Sequence, residues 1–508
     1  MRRAEVAQPG LPWARCRYSS RIARRLPLLG LSLLPFAAAA QTANPTPVDS
    51  ALVARILSAE DRRDSTDTAI ADGMRHDAGR VRLLARRALG RMHDPQFAVR
   101  DSLPPLPAPP TWPEPAWRLR FRELATHRDD CNALRAALGD SSWHVRLRAT
   151  DLLPARCAED NLIVVTLERW IDALPATRVG RRPGGVSWHA AAHAEVALAR
   201  LRPAEARDRL RQLVSHPDEH VRLYAARAAA VLADSALLRS LALDPDDNVK
   251  EAALDALAKL TGHADDHVYL AALHATGPQA VRAAALALEG SPFPGVRDSA
   301  EAAFERWVRR DNASERDARV ALLAAAGRPA SDDQPPVDRD SLPWSAVALA
   351  LGQEAQLRVT LDGASGGGSF VVRLRGDIAP IMAARVLELV RTGYYDGGTW
   401  HRVEPDFVIQ GAGPGTNEYV GYRRYFRDEL GNVPHRRGTV GMSTRGHDTG
   451  DAQWFINLKD NLRLDRDYTV FAEVVQGMDV VDGIMEGDVV ASIREIAHAD
   501  PAPGRRQR

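Results

Sequence analysis

The run "YYDGGTWHRVEPDFVIQGAG", residues 394–413, sets Arg402, Phe407 and Gln410 close together between two glycine-bearing turns. Short apolar segments broken by Gly, Pro and Asp read as strands and turns, not as helix. The same texture continues on both sides. "LRVTLDGASGGGSFVVRLRG" (357–376) alternates about a Gly/Ser turn. No Gly-Lys-Ser/Thr follows Gly366, Gly367 and Gly368, so these glycines form a hairpin loop and not a phosphate cradle. "APIMAARVLELVRTG" (379–393) reads as an amphipathic helix, with Pro380 in its first turn and Gly393 at its end. Short β segments follow at 398–411, 438–443, 452–458 and 468–475. One early helix among many closely spaced strands predicts a closed β-barrel.

Upstream the pattern changes. "RVRLLARRALGRM" (80–92), "HVRLRATDLL" (144–153), "HVRLYAARAAAVL" (220–232), "NVKEAALDALAKL" (248–260) and "AVRAAALAL" (280–288) share one phrase: Val, a basic residue, then apolar residues at helical spacing. Val221, Val249 and Val281 recur at intervals of 28 and 32 residues. Asp-rich turns before most of these phrases supply N-caps. Self-similarity at this period predicts an α-solenoid. The phrases resemble HEAT repeats, in which an Asp-rich turn leads into a Val-Arg/Lys helix. That resemblance implies a surface for protein partners and no chemistry. "SLPPLPAPPTWPEP" (102–115), with seven prolines, cannot be helix; it reads as a stiff connector, with a docking motif as the alternative. "GRPASDDQPPVDRDSLPW" (327–344) has no apolar period and marks the domain boundary.

At the N-terminus, Arg21, Arg24 and Arg25 precede an apolar run from Leu26 to Ala40. This is the layout of a cleavable export signal, too short to span a bilayer comfortably, although a retained anchor is the alternative. Residues 1–40 hold seven Arg and one Glu, so removing them leaves 60 basic and 65 acidic residues, a net charge of −5. A mildly acidic chain has no electrostatic case for nucleic acid. The expected location is therefore periplasmic or extracellular, with no membrane span after cleavage. Cys131 and Cys157 remain as a pair, open to a disulfide in an oxidising compartment or to two buried thiols. His189 and His193 lie one helical turn apart, but no Glu follows the first in the metalloprotease manner. They read as interhelical or exposed histidines.

The opening run resembles the cyclophilin family of peptidyl-prolyl isomerases, in which a His-Arg pair precedes Phe, Gln and glycines at this spacing. Three more blocks follow in the family's order: "FRDE" (426–429), "GTVGMSTRG…AQWFIN" (438–457) and "LDRDYTVFAEVVQGMDVVDGI" (464–484). The resemblance implies rotation about X–Pro bonds, with Arg402, Phe407 and Gln410 catalytic. It implies that Val408, Met442, Ser443, Thr444, Phe455, Leu464 and Tyr468 bind substrate, and it calls for no cofactor and no metal. An Arg suits this chemistry. Its guanidinium is permanently charged and presents a fixed fork of donors. Aimed at the prolyl nitrogen of a twisting amide, it lowers a barrier of roughly 18–20 kcal/mol. Ser443 and Thr444 depart from the Ala-Asn or Ala-Arg of many members. Arg463 stands where eukaryotic members carry a drug-contacting Trp, and Arg385, where Asn is common, reads as structural.

The expected organisation is a signal peptide (1–41), a HEAT-like all-α solenoid (42–326), a linker (327–353), a cyclophilin-like closed barrel with flanking helices (354–499) and a tail (500–508). The expected protein is an exported, bacterial-type isomerase of X–Pro bonds that assists the folding of exported proteins, with clients held on the solenoid. The rival is a non-catalytic scaffold whose drifted barrel only grips Pro-containing segments.

Overall fold

The computed structural model describes residues 50–94, 108–333 and 355–496. The signal segment, the tail, residues 102–107 of the proline-rich run and residues 334–353 of the linker lie outside the described residues.

The barrel is one antiparallel sheet of nine strands: β1 Gln356–Leu361, β2 Ser369–Leu374, β3 Thr399–Trp400, β4 Arg402–Val403, β5 Val408–Gly411, β6 Thr439–Met442, β7 Trp454–Asn457, β8 Val470–Gln476 and β9 Asp488–Ile496. Their order is β3-β9-β1-β2-β8-β6-β7-β5-β4. β3 and β4 stand at opposite ends of that order yet are separated only by His401. The first pairs with β9 and the second with β5, and Ala412 N donates to Thr399 O at 3.0 Å. One short stretch, 399–403, therefore all but closes the barrel, which removes most of the exposed edge that an open sheet would present. Trp400, Trp454, Phe370 and Phe471 are fully buried inside it.

Residues 116–325 form a stacked helical array. Ala116–Glu123, Trp143–Leu152, His189–Leu201, Glu219–Val231, Asp247–Thr261, Pro278–Ala287 and Arg316–Ala325 pack in succession as one layer, with the intervening helices packed against it. Alanines such as Ala194, Ala225, Ala253 and Ala284 are wholly buried at the contacts, where small side chains let helices approach closely. Asp218 and Asp246 cap their helices through Oδ1 to backbone N–H groups, as the Asp-rich turns predict. Cys131 and Cys157 are joined in a disulfide, their Cα atoms 5.5 Å apart.

The array starts later than the expected boundary at residue 42. Helices Ser50–Arg62, Thr68–Arg75 and Gly79–His93 share the apolar core of the barrel instead. The reason is an ionic cluster that periodicity does not reveal. Glu60 accepts from Arg87 Nη2 at 3.1 Å and Arg91 Nη1 at 3.0 Å. Arg91 Nη2 also reaches Leu430 O at 2.7 Å, and Arg385 Nη2 reaches Asp61 at 2.7 Å, the structural role expected of Arg385. Burial raises both carboxyls of the cluster; the two guanidiniums outweigh it at Glu60, which is held low, while Glu429 is pushed up to about 7. At the other boundary, Asp333 pairs with Arg319 at 2.7 Å, so helical packing persists several residues into the expected linker.

The inner layer of the array lies against the barrel. His144 Nε2 meets Asp482 O at 3.1 Å, His189 Nε2 meets Glu486 O at 2.8 Å, and Tyr224 Oη donates to Glu486 at 2.9 Å. Asn417 Nδ2 donates to Asn248 at 3.0 Å, Arg282 stacks on the Tyr419 ring at 4.4 Å, and Asp317 pairs with Arg445. Successive helices each contribute at least one such contact. His193, one turn after His189, bonds Asp151 at 2.7 Å and Tyr224 at 3.0 Å, so this pair serves the inter-element packing.

Candidate active site

A single cross-strand row builds the site. Arg402 is paired directly with Gln410, Gln410 with Phe455, and Phe455 with Gly441, across β4, β5, β7 and β6. Directly paired residues point to the same face of a sheet. The row thus puts a cation, an amide, an aromatic ring and a bare backbone side by side. A groove of about 190 Å³ runs over it.

Of the residues expected to act, Arg402, Phe407, Val408, Gln410, Ser443, Thr444, Phe455, Leu464 and Tyr468 all line this groove. Met442 does not. It is fully buried in the barrel interior, paired with Trp454, and the alternation of β6 explains why. Gly441 faces the groove, and a Cβ there would collide with the Phe455 ring, so its neighbour Met442 must face inward.

The Phe455 ring is held from two sides. His435 stacks on it at 5.6 Å and Tyr468 meets it edge-on at 5.5 Å. His435 is fixed in turn by Tyr468 O at 3.1 Å and Asn457 at 3.2 Å, and burial lowers its pKa. Phe407 and Leu464 form the facing apolar wall. Arg463 lies over the Phe407 ring at 4.2 Å, a cation–π lid in place of the tryptophan of eukaryotic members. Arg402 remains 43% exposed, with Glu404 at 3.8 Å. Gln410 Nε2 donates to Ser443 Oγ at 3.0 Å. Behind Arg402, burial and the neighbouring guanidinium push His401 down to about 4, so its imidazole is neutral at physiological pH.

Two groove residues escaped the sequence reading. Glu418 and Arg445 line the end beyond Gln410, and Arg445 is anchored to Asp451 at 2.9 Å and to Asp317 of the helical array. Arg445 gains its place from Asp317, which is distant in sequence, so no local pattern marks it. Gly441 was legible in principle: its parity with Phe455 follows once β6 and β7 are paired.

The barrel carries an Arg–Gln–Phe row under an aromatic groove. The comparisons with known proteins agree. The family described as "Cyclophilin type peptidyl-prolyl cis-trans isomerase/CLD" matches residues 357–499. A peptidyl-prolyl cis-trans isomerase of Helicobacter pylori is 32% identical over 130 residues, covering 25% of this chain and 80% of that protein. Peptidyl-prolyl cis-trans isomerase B of Bacillus subtilis is 34% identical over 131 residues, covering 25% of this chain and 91% of the relative. Peptidyl-prolyl cis-trans isomerase-like 2 of Gibberella zeae is 36% identical over 119 residues, but the match spans 22% of this chain and 21% of that protein. Through this domain the chain belongs to the cyclophilin-type peptidyl-prolyl cis-trans isomerases.

Proposed function

We propose that the protein rotates X–Pro bonds of polypeptides in the groove over Arg402, Gln410 and Phe455. The observation that carries this reading is the directly paired Arg402–Gln410–Phe455 row. A proline ring fits between Phe455, Phe407 and Leu464. Gln410 fixes the substrate backbone by hydrogen bonding, and the Arg402 guanidinium donates to the prolyl nitrogen. That nitrogen accepts well only when the amide is twisted and its lone pair is localised, so the contact strengthens in the transition state. No group gains or loses a proton in this scheme.

The groove adjoins the helical array. Arg402 also borders a cavity of about 320 Å³ whose other walls include Tyr224, Arg227 and Glu486. Client polypeptide beyond the proline would run into this space, which gives the array its part in holding clients. Export to an oxidising compartment is supported by the Cys131–Cys157 disulfide and by the N-terminal signal-like sequence.

The test is an isomerisation assay of the full chain on a short X–Pro peptide, wild type beside Arg402→Ala. At least about a tenfold loss of kcat/KM, equivalent to roughly 1.4 kcal/mol, is expected in the variant. An inactive wild type that still binds the peptide would favour the scaffold reading.

A further inference from the structure

The loop joining β4 to β5 decides how far Arg402 stands from the apolar wall, because Arg402 precedes it and Phe407 ends it. Phe407 N donates to Glu404 O at 2.8 Å, and Glu404 N to Val408 O at 2.9 Å, which makes a tight turn. β4 is two residues long and ends the strand order. The turn therefore has little support from the sheet itself.

From the barrel, Asn461 Nδ2 donates to Phe407 O at 2.9 Å; the rest of its support comes from the helical array. Arg118, on Ala116–Glu123, is fully buried. Its Nε donates to Pro405 O at 2.7 Å, its Nη1 to Leu458 O at 2.8 Å and its Nη2 to Asp482 at 2.8 Å. Leu458 returns the contact: its N–H donates to Phe407 O at 3.0 Å. One guanidinium thus holds the turn directly through Pro405 and indirectly through Leu458, whose carbonyl it shares with Arg437 Nη1 at 2.8 Å. One helical turn further on, Arg122 Nη1 reaches the Asp406 carboxylate at 3.1 Å, and Lys459 reaches it at 2.8 Å from the barrel side. On the opposite lip of the groove, Arg445 is gripped by Asp317 and donates to Ser314 O at 3.2 Å. Both lips are anchored to the same rigid array.

We infer that Arg118 is a positioning residue for the isomerisation, holding the 403–407 turn so that Arg402 and Phe407 keep their places against Phe455. The inference rests on the isomerase reading of the groove. It makes the helical array part of the working enzyme as well as a place for clients. A planar fork of donors is required here, because three acceptors lie around one buried point, and an ammonium presents no such fork.

A buried arginine that only stabilised the fold would act differently. Loss of folded protein lowers apparent kcat and leaves KM unchanged, whereas displacement of Phe407 changes the proline pocket and so changes KM. The experiment measures kcat and KM of the full chain on one X–Pro peptide for wild type, Arg118→Met, Arg122→Glu and Arg120→Ala. Arg120 sits on the same helix but pairs with Asp140 inside the array, so its variant should match wild type. For Arg118→Met we expect KM to rise at least about threefold and kcat/KM to fall about tenfold; for Arg122→Glu we expect KM to rise about twofold. If Arg118→Met fails to fold, Arg122→Glu decides alone. An unchanged KM in the folded variants, with or without a fall in kcat, overturns the inference. An inactive wild type overturns the isomerase reading and the inference with it.

Discussion

Gln410 and Ser443 are joined across the groove, Gln410 Nε2 donating to Ser443 Oγ at 3.0 Å. The hydroxyl therefore occupies one of the two N–H donors that the amide could offer a substrate. Ser443→Ala should release that donor. A net hydrogen bond is worth about 0.5–1.5 kcal/mol, so KM for an X–Pro peptide should fall roughly two- to twelvefold, with kcat little changed. A rise in KM would show instead that Ser443 orients the amide for substrate.

Gly441 lies under the Phe455 ring, in the place where any other residue would set a Cβ. Gly441→Ala should drive the ring upward into the proline site. Overpacking of this kind costs about 1–3 kcal/mol of stability, and KM should rise at least about fivefold. Thermal unfolding and peptide kinetics on the same preparation check both effects.

The site was legible where chemistry and strand spacing coincide. Arg402, Phe407 and Gln410 fall on β4, the turn after it and β5, one hairpin whose pairing sets Arg402 beside Gln410. Met442 was misplaced because its neighbour, not itself, shares a face with Phe455. That is a question of register, which requires knowing that Gly441 pairs with Phe455. Helices 50–93 were misassigned for a different reason. Their Val-Arg phrase matches the repeats, yet Arg87 and Arg91 are buried against Glu60 and Glu429. A basic residue on a helix reads as solvated unless its partners are known, and one of them here, Glu429, lies hundreds of residues away. Arg118 was unreadable for the same reason.

Activity should be nearly level from pH 6 to 8. The mechanism moves no proton, and His401 behind Arg402 is already neutral above about 4. A bell-shaped kcat/KM profile in that range would require a proton-transfer step absent from this mechanism.

Stability should respond to pH at a different place. Glu195 is fully buried on helix His189–Leu201, and its carboxyl oxygens have no hydrogen-bond partner among the described residues. Burial pushes its pKa from 4.5 up to about 8, against an opposing pull from Arg209. A raised carboxyl favours the fold fully below 4.5, where both states are protonated, and that advantage is lost as pH rises through the folded value near 8. Glu195→Gln should therefore match wild type near pH 4.5 and be more stable at pH 8. At about 1.4 kcal/mol per pH unit the gap reaches at most about 5 kcal/mol. Urea unfolding at the two pH values measures it, and an equal difference at both would remove Glu195 as its source.

Cys131 and Cys157 close a loop of sequence separation 26 between the start of helix Cys131–Ala137 and the turn Ala155–Glu159. The second cysteine is buried and belongs to the apolar core of the array. Cutting the bond lengthens the accessible chain in the unfolded state more than it disturbs the folded one. A loop of this size corresponds to about 3 kcal/mol in chain-entropy terms. The helix Ala116–Glu123, which bears Arg118, packs against the helix Trp143–Leu152 inside this loop region, so weakening the first repeats should also loosen the hold on the 403–407 turn. Cys131→Ser with Cys157→Ser is expected to unfold at lower urea and to show a raised KM at temperatures where it remains folded. Mass spectrometry of the unreduced wild type settles the starting point: two thiols alkylated after denaturation would mean that the bond does not form, and both effects of the double variant would then be absent.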